Sequence, residues 1–136
     1  MSISDKIIKK LKMKQHPEGG YFVESFRDKN NALSLIYYLL KKNQKSHWHR
    51  LTKNEILHFY IGDPLEVYIS KDGKKSNTKI LGTDINKNEK MHIVVKAGSW
   101  FSMKSKGNYS LIGCTVAPAF DYADFELAPR NWSPDK

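Results

Sequence analysis

The sequence predicts an all-β, single-domain antiparallel sandwich or barrel with one short helix in front of it. Three observations carry this. Short runs rich in β-branched and aromatic residues follow one another from residue 21 to residue 117. Turn-forming clusters separate them. Helical periodicity is confined to the N-terminus.

Residues 3–13 read as the helix. Ile3, Ile7, Ile8 and Leu11 recur at helical spacing, and Ser2 or Ser4 can cap the start. His16-Pro17 stops it, because the residue before a proline disfavours the helical region, and Gly19-Gly20 adds a bend. The strand runs are YFVESFR (21–27), LSLIYYLL (33–40), EILHFYIG (55–62), LEVYIS (65–70), TKILGT (78–83), HIVVKAG (92–98), SWFSM (99–103) and YSLIGCTVA (109–117). Turns fall at Asp28–Asn31, Gly62–Pro64, Lys71–Gly73, Asn86–Asn88 and Lys106–Asn108. Close spacing of short strands argues for an antiparallel double sheet. The tail FDYADFELAPRNW is open between a helical turn and a last strand. No linker, repeat or low-complexity segment divides the chain, so residues 1–136 are expected to form one domain, with the sheets over about 20–127.

Composition narrows the function classes. The chain has 136 residues, 40% of them hydrophobic and 12% aromatic, enough for one packed core. No run of about 18 apolar residues predicts a membrane span. The N-terminus lacks the apolar stretch of a signal peptide, and the single Cys114 forms no internal disulfide. A cytoplasmic location is expected, which makes the triplets Asn108-Tyr109-Ser110 and Asn131-Trp132-Ser133 chance matches to the glycosylation pattern. The net charge of +9 invites a nucleic-acid reading. The lysines are dispersed through apparent turns, however, and Arg27, Arg50 and Arg130 are the only arginines. No specific nucleic-acid or membrane partner is expected.

The chemistry concentrates in SHWHRLTKNEILHFYIG, residues 46–62. On a strand, residues two apart share a face, so His47 and His49 are expected to project together with Trp48 opposite. Glu55 shares a row with Leu57, Phe59 and Ile61, and a carboxylate on an apolar row needs a partner. Two imidazoles and a carboxylate suit zinc, iron, manganese or nickel. A histidine beside a glutamate is equally a proton-transfer pair without metal. Along 21–27, Glu24 shares a face with Phe22 and Phe26, and Arg27 with Tyr21, Val23 and Ser25. One of the two rows must face inward. Arg27 or Arg50 can hold an anion by fork geometry. His58, on the face opposite Glu55, is expected to pack against a second layer or a partner. His16 and His92 read as loop or surface residues, and Cys114 as a small buried side chain.

These residues resemble the first motif of the cupin superfamily: glycine, five residues, His-x-His, three or four residues, Glu, six residues, Gly. Here five residues separate His49 from Glu55, one too many, and six lead on to Gly62. The second motif, Pro-x-Gly-x-x-His-x-x-x-Asn, is matched by Lys96-Ala97-Gly98-Ser99-Trp100-Phe101 with Ser105 in the asparagine place, so the fourth ligand histidine is Phe101. The blocks HPEGGYFVESFR, SHWHRLTKNEILHFYIGDPLEVY, AGSWFSM and YSLIGCTVAPAFDYADFELA together resemble the cupin-5 subfamily, with Ala119 where a glycine is expected. The resemblance implies a jelly-roll β-barrel, commonly a homodimer, with a small-molecule pocket at one end. GGYFVESFR is also similar to a segment of the cupin epimerases that act on deoxythymidine-diphosphate keto-sugars. It would carry over Gly20, Phe22 and Glu24, with His49 on an inner strand, although the Arg-Gly-Leu-His stretch of that family is absent.

The expectation is a pocket in which His49, Glu55 and Glu24 move protons on a carbohydrate-derived or other small anionic substrate, as an isomerase, epimerase or lyase. The alternative is a non-catalytic ligand-binding pocket. Tyr21, Arg27, Arg50, Trp100, Phe101 and Phe120 are the ligand-binding candidates. No cofactor is the first expectation, and a divalent metal on His47, His49 and Glu55 is the alternative.

Overall fold

The structure is a computed structural model, and it describes residues 1–135. Its first element is helix α1 (Ile3–Leu11). The Ser2 side chain accepts the Asp5 N–H at 3.1 Å, Asp5 sits in the first turn, and Lys9 and Lys10 sit in the last. Each charge therefore complements the helix dipole. Lys12, at φ +57°, ends the helix in the left-handed region, two residues before the sequence signal fades.

Eleven strands follow among the described residues: β1 (Lys14–Gln15), β2 (Tyr21–Arg27), β3 (Ser34–Lys41), β4 (Lys45–Leu51), β5 (Asn54–Gly62), β6 (Leu65–Ser70), β7 (Asn77–Leu81), β8 (His92–Val95), β9 (Trp100–Ser105), β10 (Tyr109–Ala117) and β11 (Phe125–Leu127). They form two antiparallel sheets, one ordered β1-β2-β3-β10-β5-β8 and the other β11-β4-β9-β6-β7. The expected antiparallel jelly-roll class holds, with one refinement. The sheets pack face to face as a sandwich and do not close into a continuous barrel. The tail resolves into a 3-10 turn at Tyr122–Asp124 followed by β11. Gly98, at φ +83°, sits in the loop that separates β8 from β9. No helix among the described residues is long and apolar enough to cross a membrane.

Alternation along the strands produces three apolar layers. Leu40, Leu57, Val67, Phe101 and Ile112 meet between the sheets. Outside the six-stranded sheet, α1 lays Ile7, Ile8 and Leu11 over Leu39, Leu111, Tyr21 and Val23. Outside the five-stranded sheet, Trp48, Trp100 and Trp132 pack with Ala128. Burial of large aromatic and branched side chains at roughly 1.5–3 kcal/mol each makes the central layer the main source of stability.

Two bulges shape one end of the sandwich. Ser46 pairs with Met103 and His49 with Phe101, so β4 carries one residue more than β9 across this step. Glu24 pairs with Ile36 and Phe26 with Leu35, so β2 likewise carries an extra residue against β3. An extra residue reverses the in-out alternation beyond it.

Candidate functional site

A cavity of about 410 Å³ opens at one end of the sandwich. The sheets supply His49 from β4, Glu55 from β5 and Cys114 from β10, and β2 supplies Phe22, Glu24 and Arg27. The turn before β2 supplies His16 and Glu18, and the segment before β11 supplies Phe120, Asp121 and Tyr122.

The turn His16–Gly20 builds the floor. His16 N–H donates to Gly20 O, and Gly19 N–H donates to His16 O. Gly19 has φ +109°, and a Cβ there would lie 2.3 Å from the Lys45 carbonyl oxygen. Only glycine permits that approach. It presses Glu18 onto β4, where the His47 N–H donates to Glu18 O at 2.7 Å. Tyr38 from β3 adds a hydrogen bond from its hydroxyl to Gly19 O.

Glu18 is thereby held inside, 8% exposed. Ser46 Oγ donates to its Oε2. His49 Nε2 lies 3.3 Å from Oε2, and His16 Nδ1 lies 3.4 Å from Oε1. The tautomers follow from the remaining bonds. His49 Nδ1–H donates to the His47 carbonyl at 2.7 Å, so the Nε2 of a neutral ring turns its lone pair to Glu18. His16 Nδ1 accepts the Glu18 N–H at 3.1 Å, which places its proton on Nε2. Phe101 packs against His49 with ring centroids 4.1 Å apart and the planes tilted by 51°, and covers that side of the imidazole.

Burial dominates the ionisation of the group. It pushes His49 down to about 4 and lowers His16 as well. It raises Glu18 against the opposing pull of His16, Ser46 and Tyr38. Glu55 is raised to about 8, first by burial and then by the neighbouring Glu18 charge. The Cys114 thiol bonds the Glu55 carboxyl and is itself pushed well up by burial, which makes it a poor nucleophile. At neutral pH the floor therefore presents neutral imidazoles beside a protonated Glu55 and a Glu18 that holds its proton more tightly than an exposed carboxyl.

The structure sorts the candidate residues. His49, Glu55, Glu24, Arg27 and Phe120 line the cavity. Glu18 rather than Glu55 faces the His49 nitrogen. The either-or between Glu24 and Arg27 dissolves, because the β2 bulge brings both to the rim. Arg27 Nε and Nη2 bond the Glu24 carboxylate at 2.9 and 3.0 Å. His47 is a correction. The β4 bulge turns it away from His49, and its Nε2–H donates to Pro129 O at 2.9 Å. The set His47, His49 and Glu55 is therefore not assembled. Among the described residues, no three His, Cys, Asp or Glu side chains are grouped to hold a metal ion. Tyr21 points to α1, with the Lys41 ammonium 5.4 Å above its ring. Arg50 and Trp100 belong to the outer tryptophan layer, where the guanidinium sits 4.3 Å over the indole and pairs with Glu126 at 2.8 Å. Phe101 is buried in the core behind His49. His58 bonds Thr115 Oγ1 at 2.9 Å across the outer face of the six-stranded sheet.

Sequence reasoning missed Glu18 and His16. Strand parity says nothing about a turn. The usable signal was a carboxylate wedged between Pro17 and Gly19-Gly20, since a glycine pair marks a close backbone approach.

Comparison with known proteins agrees with this architecture. No curated protein sequence matches the chain. Protein SO0799 from Shewanella oneidensis superposes with a TM-score of 0.87 at 36% identity, over 94% of this chain and 85% of that one. A hypothetical protein from Leishmania major superposes at 0.84 with 28% identity, over 93% and 88%. Oxalate decarboxylase from Bacillus subtilis shares the fold at 0.67 and 16% identity, with the match covering 83% of this chain and 29% of that enzyme. The family model described as Cupin superfamily (DUF985) matches residues 5–128, and the chain belongs to that family.

Proposed function

We propose that the cavity carries out acid–base chemistry on a small carbohydrate-derived carbonyl compound, as an isomerase, epimerase or lyase. One observation carries the reading: the buried contact between His49 Nε2 and Glu18 Oε2, 3.3 Å apart at the cavity floor. The pair shares one proton. It is a base once that proton has left and an acid while it holds it. In the base form it removes a proton from the carbon beside a carbonyl. Glu55, kept protonated by burial, donates a hydrogen bond to the carbonyl oxygen as negative charge develops there. Returning the proton to the neighbouring carbon isomerises the compound, returning it to the opposite face epimerises it, and expelling a β-substituent completes a lyase reaction.

Deuterium wash-in tests this without knowing the substrate. A panel of keto- and aldo-sugars is incubated with the protein in D2O and followed by proton NMR. Loss of the signal next to a carbonyl, abolished in both Glu18→Gln and His49→Gln, is the expected result. Binding without exchange for every panel member would favour the non-catalytic reading, which the aromatic lining of Phe22, Phe120 and Tyr122 supports.

A second copy of the chain is the partner proposed for the outer face of the six-stranded sheet. Tyr60 and Val94 stand 40% and 46% exposed there beside Tyr37, and a second copy packed on them would take this apolar surface out of water. Sedimentation should give twice the chain mass, and Val94→Lys should return it to the monomer value.

A further inference from the structure

The ionisable groups around the cavity are mostly acidic. Glu18, Glu24, Glu55 and Asp121 all line it, and among its described lining residues Arg27 is the single lysine or arginine. Every nitrogen of that guanidinium is already engaged. Nε and Nη2 bond the Glu24 carboxylate, Nη1 donates to Asn31 Oδ1 at 3.2 Å, and Nη2 also donates to Phe120 O at 2.9 Å. An anionic ligand would have to break this network and then lie against the remaining carboxyls. The opposite charge finds a prepared place. Glu55 is 8% exposed and lines the cavity, and its carboxyl is bonded by a thiol, one of the weakest donors a protein has. Phe22, Phe120 and Phe125 line the same space, and aromatic rings attract cations through their negative faces.

We propose that the cavity selects a ligand carrying a protonated amine, with the ammonium held between the Glu18 and Glu55 carboxyls and the aromatic wall. This goes beyond the acid–base reading, because an amine ligand takes Glu55 in its ionised form, as a binding group and not as the hydrogen-bond donor to a carbonyl. A cation favours the ionised form of Glu55, which burial keeps protonated in the empty cavity. Binding therefore releases protons and tightens as pH rises.

The test uses three probes on one skeleton: 2-phenylethylamine, 2-phenylethanol and phenylacetate. Each is titrated into the full chain by calorimetry at pH 6 and pH 8.5, with amide shifts followed by NMR to locate the site. The expected result is a preference for the amine over the alcohol of roughly tenfold, with phenylacetate weakest. Amine binding should be tighter at pH 8.5, and Glu55→Gln should remove both the preference and its pH dependence. Equal or tighter binding of phenylacetate, indifference to charge, or failure of all three probes to bind would overturn the proposal. Deuterium exchange is read separately, so either result stands without the other.

Discussion

Replacing Glu55 with glutamine makes a protein that should be more stable than the original at neutral pH and no more stable in acid. Glutamine matches a protonated glutamic acid in shape and charge, so the folded state changes little. The difference lies in the proton. Glu55 titrates at about 8 in the folded protein and at about 4.5 when exposed, so the folded state binds more protons between those values. Stability then falls with rising pH at about 1.4 kcal/mol per unit. The favourable contribution is full below pH 4.5 and gone once pH passes 8. At pH 7 the cost is about 3 kcal/mol, and near pH 8 it approaches about 5 kcal/mol. Urea denaturation of both proteins at pH 5, 6, 7, 8 and 9 measures it. The stability of Glu55→Gln minus that of the original should start near zero, climb through this range and level off above pH 8. A flat difference would refute the reasoning, since it would mean that Glu55 is charged in the fold and meets a cation or water that the geometry does not place there.

Other outcomes rest on the same geometry. Gly19→Ala forces a Cβ to within 2.3 Å of a carbonyl oxygen at φ +109° and should cost roughly 3 kcal/mol or more, read as a lowered urea midpoint. Tyr38→Phe leaves the Gly19 carbonyl without its hydroxyl donor and should cost about 1–3 kcal/mol in the same assay. Trp132→Ala opens the outer layer beside Trp48 and Trp100, with an expected loss of about 1–3 kcal/mol for a half-buried ring. It should also red-shift the remaining tryptophan fluorescence, by less than full unfolding does. His49→Gln should abolish deuterium exchange while leaving the fold intact by circular dichroism.

Hydrophobic patterning was enough to read the two-sheet class, the short helix and most strands, because alternation is a direct image of one wet and one dry face. It was also enough to find Glu55, whose row is otherwise apolar, while His49 stood out through the His-x-His spacing. It failed where a strand breaks its own period. His47 was grouped with His49, and Glu24 was set against Arg27, on the assumption of strict alternation that the bulges in β4 and β2 violate. No residue type in SHWHR or VESFR announces a bulge. It arises from pairing with β9 and β3, which lie elsewhere in the sequence. Glu18 escaped for a related reason. Its position depends on where Gly19 and Gly20 can touch other strands, a tertiary fact with only a local hint.

The bulge in β4 is clamped from the far side of the sheet. His47 Nε2–H donates to Pro129 O, Ala128 N–H donates to Trp48 O at 3.0 Å, and the Trp132 ring packs on Trp48. The orientation of His49 therefore depends on a tail that never touches the cavity. In a library of random variants, substitutions at residues 128–132 should score among the site substitutions, and variants selected for altered ligand preference should accumulate there. A map of functional sensitivity would trace two patches on opposite faces of one sheet, joined by a single displaced residue.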